Sequence, residues 1–454
     1  MYEPDEGRYT AVANEMIRLD DWVHPHLNRD HPHWTKPPLT YWAIAASIEL
    51  FGTNEFAVRF PGALAFFLTI ILIYRMGKVF LDRRAWVAPL IYCSSIIPVA
   101  ASNVVTTDNF LTLWSTALMF SYMKGTRDAS KRKSKAWMLS MWFFLGLGFL
   151  TKGPAIFLPF ITILVYKWFT IRRDNNTKIL WFPGAIVFLL IAAPWFVVVI
   201  HDYPELGSYF LRKEIIGRIM GEQHRNAQWY GAFTVYVPVL LLGTVPWTYW
   251  FALHFYRGVK KLRERGRGFI GSLDEHTQFL FLWLVCPMVV FVVVRSRLPL
   301  YLLPLFIPLS LILGQRLCNC SSLWTTKRMR LIGVWLIVSL LMRAVIAERP
   351  YKRDARALSQ DFKFLETENY DALAFYGVTP IYGLSFYLDK EIEKIDENTL
   401  IDELQKDERR IWVIQDRFRK ELEIVFREHS QKSLEYAGIF QSRFLIMKER
   451  SSNR

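Results

Sequence analysis

The run ILWFPGAIVFLLIAAPWFVVVI, residues 179–200, carries no charged side chain. Its length matches the about 20 apolar residues that a helix needs to cross the hydrocarbon of a bilayer. Pro183 and Pro194 lie inside it, and a packed helical bundle tolerates them because neighbouring groups satisfy the backbone they leave open. Working outward, spans of the same kind are expected at roughly 58–77, 85–102, 107–123, 136–151, 153–170, 230–256, 277–294, 298–315 and 330–347. Residues 39–52 are apolar with an aromatic rim but short for a span, which suits an interfacial or re-entrant piece. The fold class is therefore mostly α, a polytopic membrane helix bundle of about 10–11 spans.

A net charge of +15 in a soluble protein would direct attention to nucleic acid. Here the basic residues collect in short loops between apolar runs, so membrane lipids are the partner and nucleic acid is not. Lys78, Arg83 and Arg84 lie in one such loop, Lys124 to Lys135 in another, Arg172, Arg173 and Lys178 in a third. Arg257 to Arg267 and Arg316 to Arg330 follow with the same parity. That side is expected to be cytoplasmic. The opposite side then holds residues 1–38, the turn before Asp108, Lys152, the loop 201–229, the turn Arg295–Arg297 and the C-terminal region.

Residues 1–38 are far too charged for hydrocarbon and are expected to form an outer first loop folded over the bundle's mouth. The chain opens polar, with no signal peptide, and its first apolar element comes late, so an upstream first helix is expected to be missing. Residues 1–347 make the membrane domain and 348–454 a small outer α/β domain. In the latter, Ala372–Tyr376 and Ile411–Ile414 read as strands, and Thr399–Gln405 and Arg417–Arg427 as helices. The four cysteines imply no disulfide framework.

Chemistry is expected where charges meet the outer ends of spans. Asp108 begins an apolar run and reads equally as a helix N-cap or a catalytic carboxylate. Asp5 lies on the same side, and two carboxylates can divide the work of base and orienter. Lys36 is followed by the stiff Pro37-Pro38, and Lys152 sits between two apolar runs with almost no loop. With Arg8, Arg218, Arg295 and Arg297 they offer forks and point charges for a phosphate. His24, His26, His31 and His33 form a cluster, and His224 is a second metal candidate. No Walker, dinucleotide-binding or Ser-hydrolase motif is present, which argues against nucleotide sugars.

Several motifs now occur in order: Asp5-Glu6-Gly7-Arg8-Tyr9, Lys36-Pro37-Pro38-Leu39-Thr40-Tyr41-Trp42, Phe56-Ala57-Val58-Arg59-Phe60-Pro61, Thr107-Asp108, Leu150-Thr151-Lys152-Gly153-Pro154 and Leu298-Pro299-Leu300-Tyr301-Leu302-Leu303-Pro304. This set resembles the ArnT-like branch of the protein O-mannosyltransferase superfamily, the GT-C glycosyltransferases that use polyprenyl-phosphate sugars. The resemblance covers residues 3–315 and extends loosely to Phe386-Tyr387-Leu388. It implies a GT-C bundle in a bacterial inner membrane, with the active site facing the periplasm. It implies inverting transfer of a sugar to a lipid A-like, protein or glycan acceptor. Asp5 would be the principal catalytic carboxylate, with Glu6 beside it and Asp108 the second. Arg8, Tyr9, Lys36, Lys152, Arg218, Arg295, Arg297 and Tyr301 would hold the donor and its phosphate. Thr35 stands where an acidic residue is expected in many relatives, so a divalent metal is an open cofactor and no other is implied. Two further readings compete, a protein O-mannosyltransferase-like enzyme and a lipid-linked glycan transporter or non-catalytic member. A transporter should carry its functional charges at mid-membrane depth.

Overall fold

The computed structural model describes residues 4–29, 31–170, 179–212, 217, 226, 228–266, 272–318, 324–348, 354–365, 368–406, 408–430, 432–441 and 444–451. The helices are α1 (Asp5–Arg18), α2 (Leu39–Phe51), α3 (Glu55–Phe80), α4 (Val87–Ser94), α5 (Ile96–Ala101), α6 (Thr107–Arg127), α7 (Lys131–Lys152), α8 (Phe157–Thr170), α9 (Trp181–Asp202), α10 (Gly231–Gly243), α11 (Thr248–Arg265), α12 (Glu275–Val293), α13 (Phe306–Leu317), α14 (Thr326–Glu348) and α15 (Arg419–His429), with shorter helical turns between them. By contacts the chain forms two compact units. One gathers residues 1–34, 41–58 and 345–454, the other residues 35–40 and 59–344.

The second unit is a helical bundle. Helix α6 is its centre, buried on nearly every face from Thr107 to Gly125. Trp283, Tyr92, Phe306, Met141 and Leu145 pack into the same core. The outer helices behave oppositely. Phe182, Leu189, Leu190 and Val197 of α9 are exposed, as are Leu241 and Leu242 of α10 and Val334, Ile337 and Leu341 of α14. A helix that is apolar all round yet exposed on one side has lipid as its solvent. Among the described residues, five helical segments are long and apolar enough to cross a bilayer, and the chain is a multi-pass membrane protein.

Two expected spans are broken. Residues 230–256 form α10 and α11 rather than one helix. Pro246 lacks the N–H that would continue the ladder, and Gly243 lies so close to α5 that a Cβ there would meet Ile97 Cγ1 at 2.4 Å. Residues 85–102 form α4 and α5, parted at an extended Ser95. The Ser95 N–H bonds to the Tyr92 carbonyl, and the Ser95 hydroxyl donates at 2.7 Å to the Ile91 carbonyl that the break would orphan. The span expected at 298–315 opens with a tight helical turn, Pro299–Leu305, before α13.

The first unit carries a five-stranded sheet in the order β4-β3-β5-β7-β6. Strands β3 (Ala372–Tyr376), β4 (Glu391–Ile395) and β5 (Arg410–Gln415) are parallel, and β6 (Lys432–Phe440) and β7 (Phe444–Ser451) complete an antiparallel edge. Strand β3 is buried at every position and β5 at all but its last, as expected for strands covered on both faces. Trp412 packs on Phe426 of α15, and Phe375 on Phe440 across the other face.

Residues 1–38 are not simply loop. Tyr9, Val12, Ala13 and Met16 recur at helical spacing and are the buried stripe of α1. Its acidic first turn and Arg18 in the last suit the helix dipole. The hairpin of β1 (His26–Asn28) and β2 (His31–Pro32) docks beside β4, where Asn28 donates to the Ile392 carbonyl at 3.1 Å. Tyr387 donates to Glu55 at 2.6 Å, and Arg356 adds Nε–H to the same carboxylate at 2.8 Å.

Glu15 is buried in this unit, and burial pushes its carboxyl above the ordinary value of 4.5 against the pull of Arg18. The folded state therefore holds this proton more tightly than the unfolded state does. The stability it contributes is present below pH 4.5 and is lost as pH rises through the folded value. Glu15→Gln cannot ionise, so its melting temperature should gain on that of the wild type as pH is raised from 4 to 7. Parallel thermal melts over that pH series check this.

Candidate active site

Antiparallel packing of α6 and α7 brings the end of α7 beside the start of α6. Thr106 caps α6, its hydroxyl accepting from the Asp108 N–H at 3.3 Å. Asp108 is therefore not the cap, and its carboxylate is free to face α7. Lys152 ends α7, where Gly153 turns the chain at φ +60°, a conformation that L side chains rarely adopt. Lys152 Nζ donates to Asp108 Oδ1 at 2.5 Å, and both side chains are about nine-tenths buried. Each charge also suits its own helix end, the carboxylate at an N-terminus and the ammonium at a C-terminus.

Three further contacts hold this pair. Trp114 Nε1 donates to Thr151 Oγ1 at 3.1 Å, fastening α6 to the last turn of α7. Asn109 Nδ2 donates to the Ala101 carbonyl at 2.6 Å, which fixes the chain entering α6. The Tyr301 ring lies 4.9 Å beneath Lys152 Nζ, an electrostatic contact with the face of the ring. A buried lysine held between a carboxylate and an aromatic face is a preorganised cation.

Of the other expected cations in the bundle, Arg295 is exposed and has no partner among the described residues. Arg297 is buried, and it clamps backbone: Nη1 donates to the Asn226 and Gln228 carbonyls at 2.9 and 2.8 Å, and Nη2 to Val292 at 3.0 Å. Lys36 is half-buried and donates to the Thr35 carbonyl at 2.8 Å, with the buried Pro37 and Pro38 behind it. Arg218 and His224 lie outside the described residues.

The first unit holds the remaining candidates on α1. Asp5 is exposed and accepts from Arg8 Nη2 at 2.5 Å, three residues on. Glu6 is buried, and Tyr9 is buried with its ring 5.5 Å from Tyr41. The helix thus brings Asp5 and Arg8 onto one face. The histidine cluster does not converge: His24 is taken by Asp21 at 3.0 Å and His26 by the His24 carbonyl at 2.8 Å. Among the described residues no three His, Cys, Asp or Glu side chains gather as a metal site. The roles of Thr106, Trp114 and Thr151 escaped the sequence reading. A Thr two residues before Asp108 was the available signal for the cap.

Residues 35–198 match the family model described as dolichyl-phosphate-mannose-protein mannosyltransferase. The undecaprenyl phosphate-alpha-4-amino-4-deoxy-L-arabinose arabinosyl transferase 2 of Proteus mirabilis is 30% identical over 368 residues, which is 77% of this chain and 63% of that protein. The corresponding transferase of Edwardsiella ictaluri is 32% identical over 341 residues, 74% of this chain and 58% of that protein. This chain spans about three fifths of the length of these relatives. Its fold is that of ArnT from Cupriavidus metallidurans bound to undecaprenyl phosphate, with a TM-score of 0.76 at 19% identity, covering 99% of this chain and 94% of that one. The oligosaccharyltransferase of Archaeoglobus fulgidus is a more distant likeness, with a TM-score of 0.52 at 12% identity, covering 96% of this chain and 66% of that one.

Proposed function

We propose that this chain is a member of the ArnT-like branch of the protein O-mannosyltransferase superfamily, and that it transfers a sugar from a polyprenyl-phosphate donor to an acceptor outside the cytoplasm. The observation that carries the reading is the buried Asp108–Lys152 pair over Tyr301. It stands at the end of α6 opposite Lys124 and Arg127, hence opposite the basic loops. By the charge rule those loops are cytoplasmic and the pair faces the periplasmic side of a bacterial inner membrane. Charges at the ends of helices favour surface chemistry over the mid-membrane sites of a transporter. The names of the relatives, and the undecaprenyl phosphate bound in the Cupriavidus structure, support the donor class.

In the reaction the bond between the anomeric carbon and the phosphate oxygen breaks, and its electron pair stays with the phosphate. An acceptor oxygen attacks the anomeric carbon from the opposite face, which inverts it. Lys152, Lys36 and Arg295 are the cations we assign to the phosphate, where charge grows as the bond breaks. Asp108 holds Lys152 in place. Asp5, kept in one orientation by Arg8, orients the acceptor and takes its proton when the acceptor is a hydroxyl. A phosphate acceptor, as on lipid A, is already nucleophilic and needs only positioning.

The test compares lipids extracted from cells that express the wild type, Asp5→Asn or Asp108→Asn at equal levels. A polyprenyl-phosphate sugar should accumulate in both variants, and one glycosylated lipid should disappear. Identical donor and acceptor profiles in all three strains would sink the transferase reading.

A further inference from the structure

The inner face of α11 changes character along its length. Trp250 and Phe251, near its start, pack against the bundle core. At helical spacing the same stripe continues as His254, then Arg257 and Gly258, then Lys261. An amphipathic helix ordinarily turns apolar groups inward and charges outward. Here cations stand on the inner stripe, while Tyr249, Phe255, Tyr256 and Leu262 lie off it and are exposed.

The charges gather against a second helix. Helix α11 packs on α13, and Arg316 lies in the last turn of α13. The charges of Arg316, Lys261 and Arg257 all act on the half-buried imidazole of His254. Three cations from two helices therefore bear on one ring.

No carboxylate neutralises them. Among the described residues none of the three forms an ion pair. Asp274 is within electrostatic reach of Arg316, but it caps α12, accepting from the Thr277 N–H at 2.9 Å and the Thr277 hydroxyl at 2.7 Å. Glu264 flanks the stripe and pairs with no cation among the described residues. Stretches 267–271 and 319–323, which follow the two helices, contain no Asp or Glu. Like charges so placed repel one another. There is also room between them: a Cβ on Gly258 would meet nothing within 4 Å. The missing component is an anion.

Position identifies its source. Tyr301, beneath Lys152, precedes α13, and Arg316 lies at the far end of that helix, on the order of 15 Å along its axis. The cluster is thus well removed from the Asp108–Lys152 pair and lies among the basic loops, on the cytoplasmic side by the charge rule. Exposed Tyr249, Phe255 and Tyr256 suit the boundary between acyl chains and headgroups. A phosphate that arrives there on a lipid brings a tail to lie along those rings.

We propose that Arg257, Lys261 and Arg316 hold the phosphate of an anionic phospholipid of the cytoplasmic leaflet, seated between α11 and α13 beside Gly258. Its oxygens accept from two guanidinium forks and one ammonium. The bound lipid fastens to the bundle a helix none of whose residues is buried. The inference goes beyond the transferase reading and does not depend on it.

The test places the whole protein in bilayer discs of phosphatidylcholine, with or without phosphatidylglycerol. Melting temperature and the phosphatidylglycerol retained after extraction into detergent are measured. Arg257→Gln with Lys261→Gln empties the α11 side of the site, and Arg316→Gln the α13 side. Lys260→Gln with Arg263→Gln removes the same charge as the first pair from the opposite side of α11. Phosphatidylglycerol should raise the melting temperature of the wild type and of the outer pair. Its affinity should fall about tenfold or more in both inner variants. In phosphatidylcholine alone the inner variants should melt no lower than the wild type, because a repulsion has been removed. An equal loss of affinity in the outer pair would overturn the site, since charge anywhere on the helix would then suffice. Inner variants that melt lower in phosphatidylcholine would overturn it too, as would a wild type indifferent to phosphatidylglycerol. Inorganic phosphate that stabilises the wild type as much as the lipid does would overturn the lipid as the ligand.

Discussion

Lys152→Met is expected to abolish transfer and to loosen the bundle at once. The side chain is nine-tenths buried, and its ammonium is the partner of an equally buried Asp108. Removing one member of such a pair strands the other charge away from water, which costs about 3–5 kcal/mol. Part of that loss is structural and says nothing of chemistry. The double variant Lys152→Met with Asp108→Asn separates the two effects. It leaves no stranded charge, so its melting temperature should return most of the way to that of the wild type, while transfer stays at background. A double variant that regains both stability and activity would show that the pair only fastens α6 to α7.

Arg410→Met should produce the second large effect, in the sheet unit. Arg410 is buried at the start of β5, and its guanidinium meets Glu393 at 2.7 Å, Glu403 at 2.9 Å and Glu408 at 2.5 Å. Methionine fills a similar volume and removes the charge. Three carboxylates then converge with no cation, and Glu393 is among the buried residues. Burial already pushes Glu393 above the ordinary carboxyl range even with Arg410 in place. The expected loss is about 3–5 kcal/mol at neutral pH. It should shrink as pH falls, because protonation relieves the repulsion that the missing cation leaves behind. Limited proteolysis of the C-terminal region at pH 7 and pH 5 reads both statements. Equal susceptibility of variant and wild type at pH 7 would contradict the first.

The bundle was legible in the sequence because apolar length is a property of composition, and α9 could be read from residues 179–200 alone. Breaks inside apolar runs were less legible. Residues 230–256 contain no Asp, Glu, Lys or Arg to mark a break, whereas the turn after Gly243 depends on Pro246 and on how closely Ile97 packs. The strands at Ala372–Tyr376 and Ile411–Ile414 were legible because fully buried strands leave unbroken apolar runs. Helix α1 was missed because its mean polarity conceals a four-residue stripe. At the site, Lys152 was noticed because a charge between two apolar runs is costly, but its partner could not be derived. Residues 108 and 152 meet only through the antiparallel packing of α6 on α7.

The most direct test is stoichiometric. Purified protein in a lipid bilayer is given a radiolabelled polyprenyl-phosphate sugar and an extracted lipid acceptor, and both products are counted over time. The transferase reading requires one polyprenyl phosphate released for each acceptor glycosylated, inversion at the anomeric carbon, and no release from the Lys152→Met, Asp108→Asn protein. Donor that crosses the bilayer with its sugar still attached, while no acceptor is modified, would contradict it and make the protein a carrier.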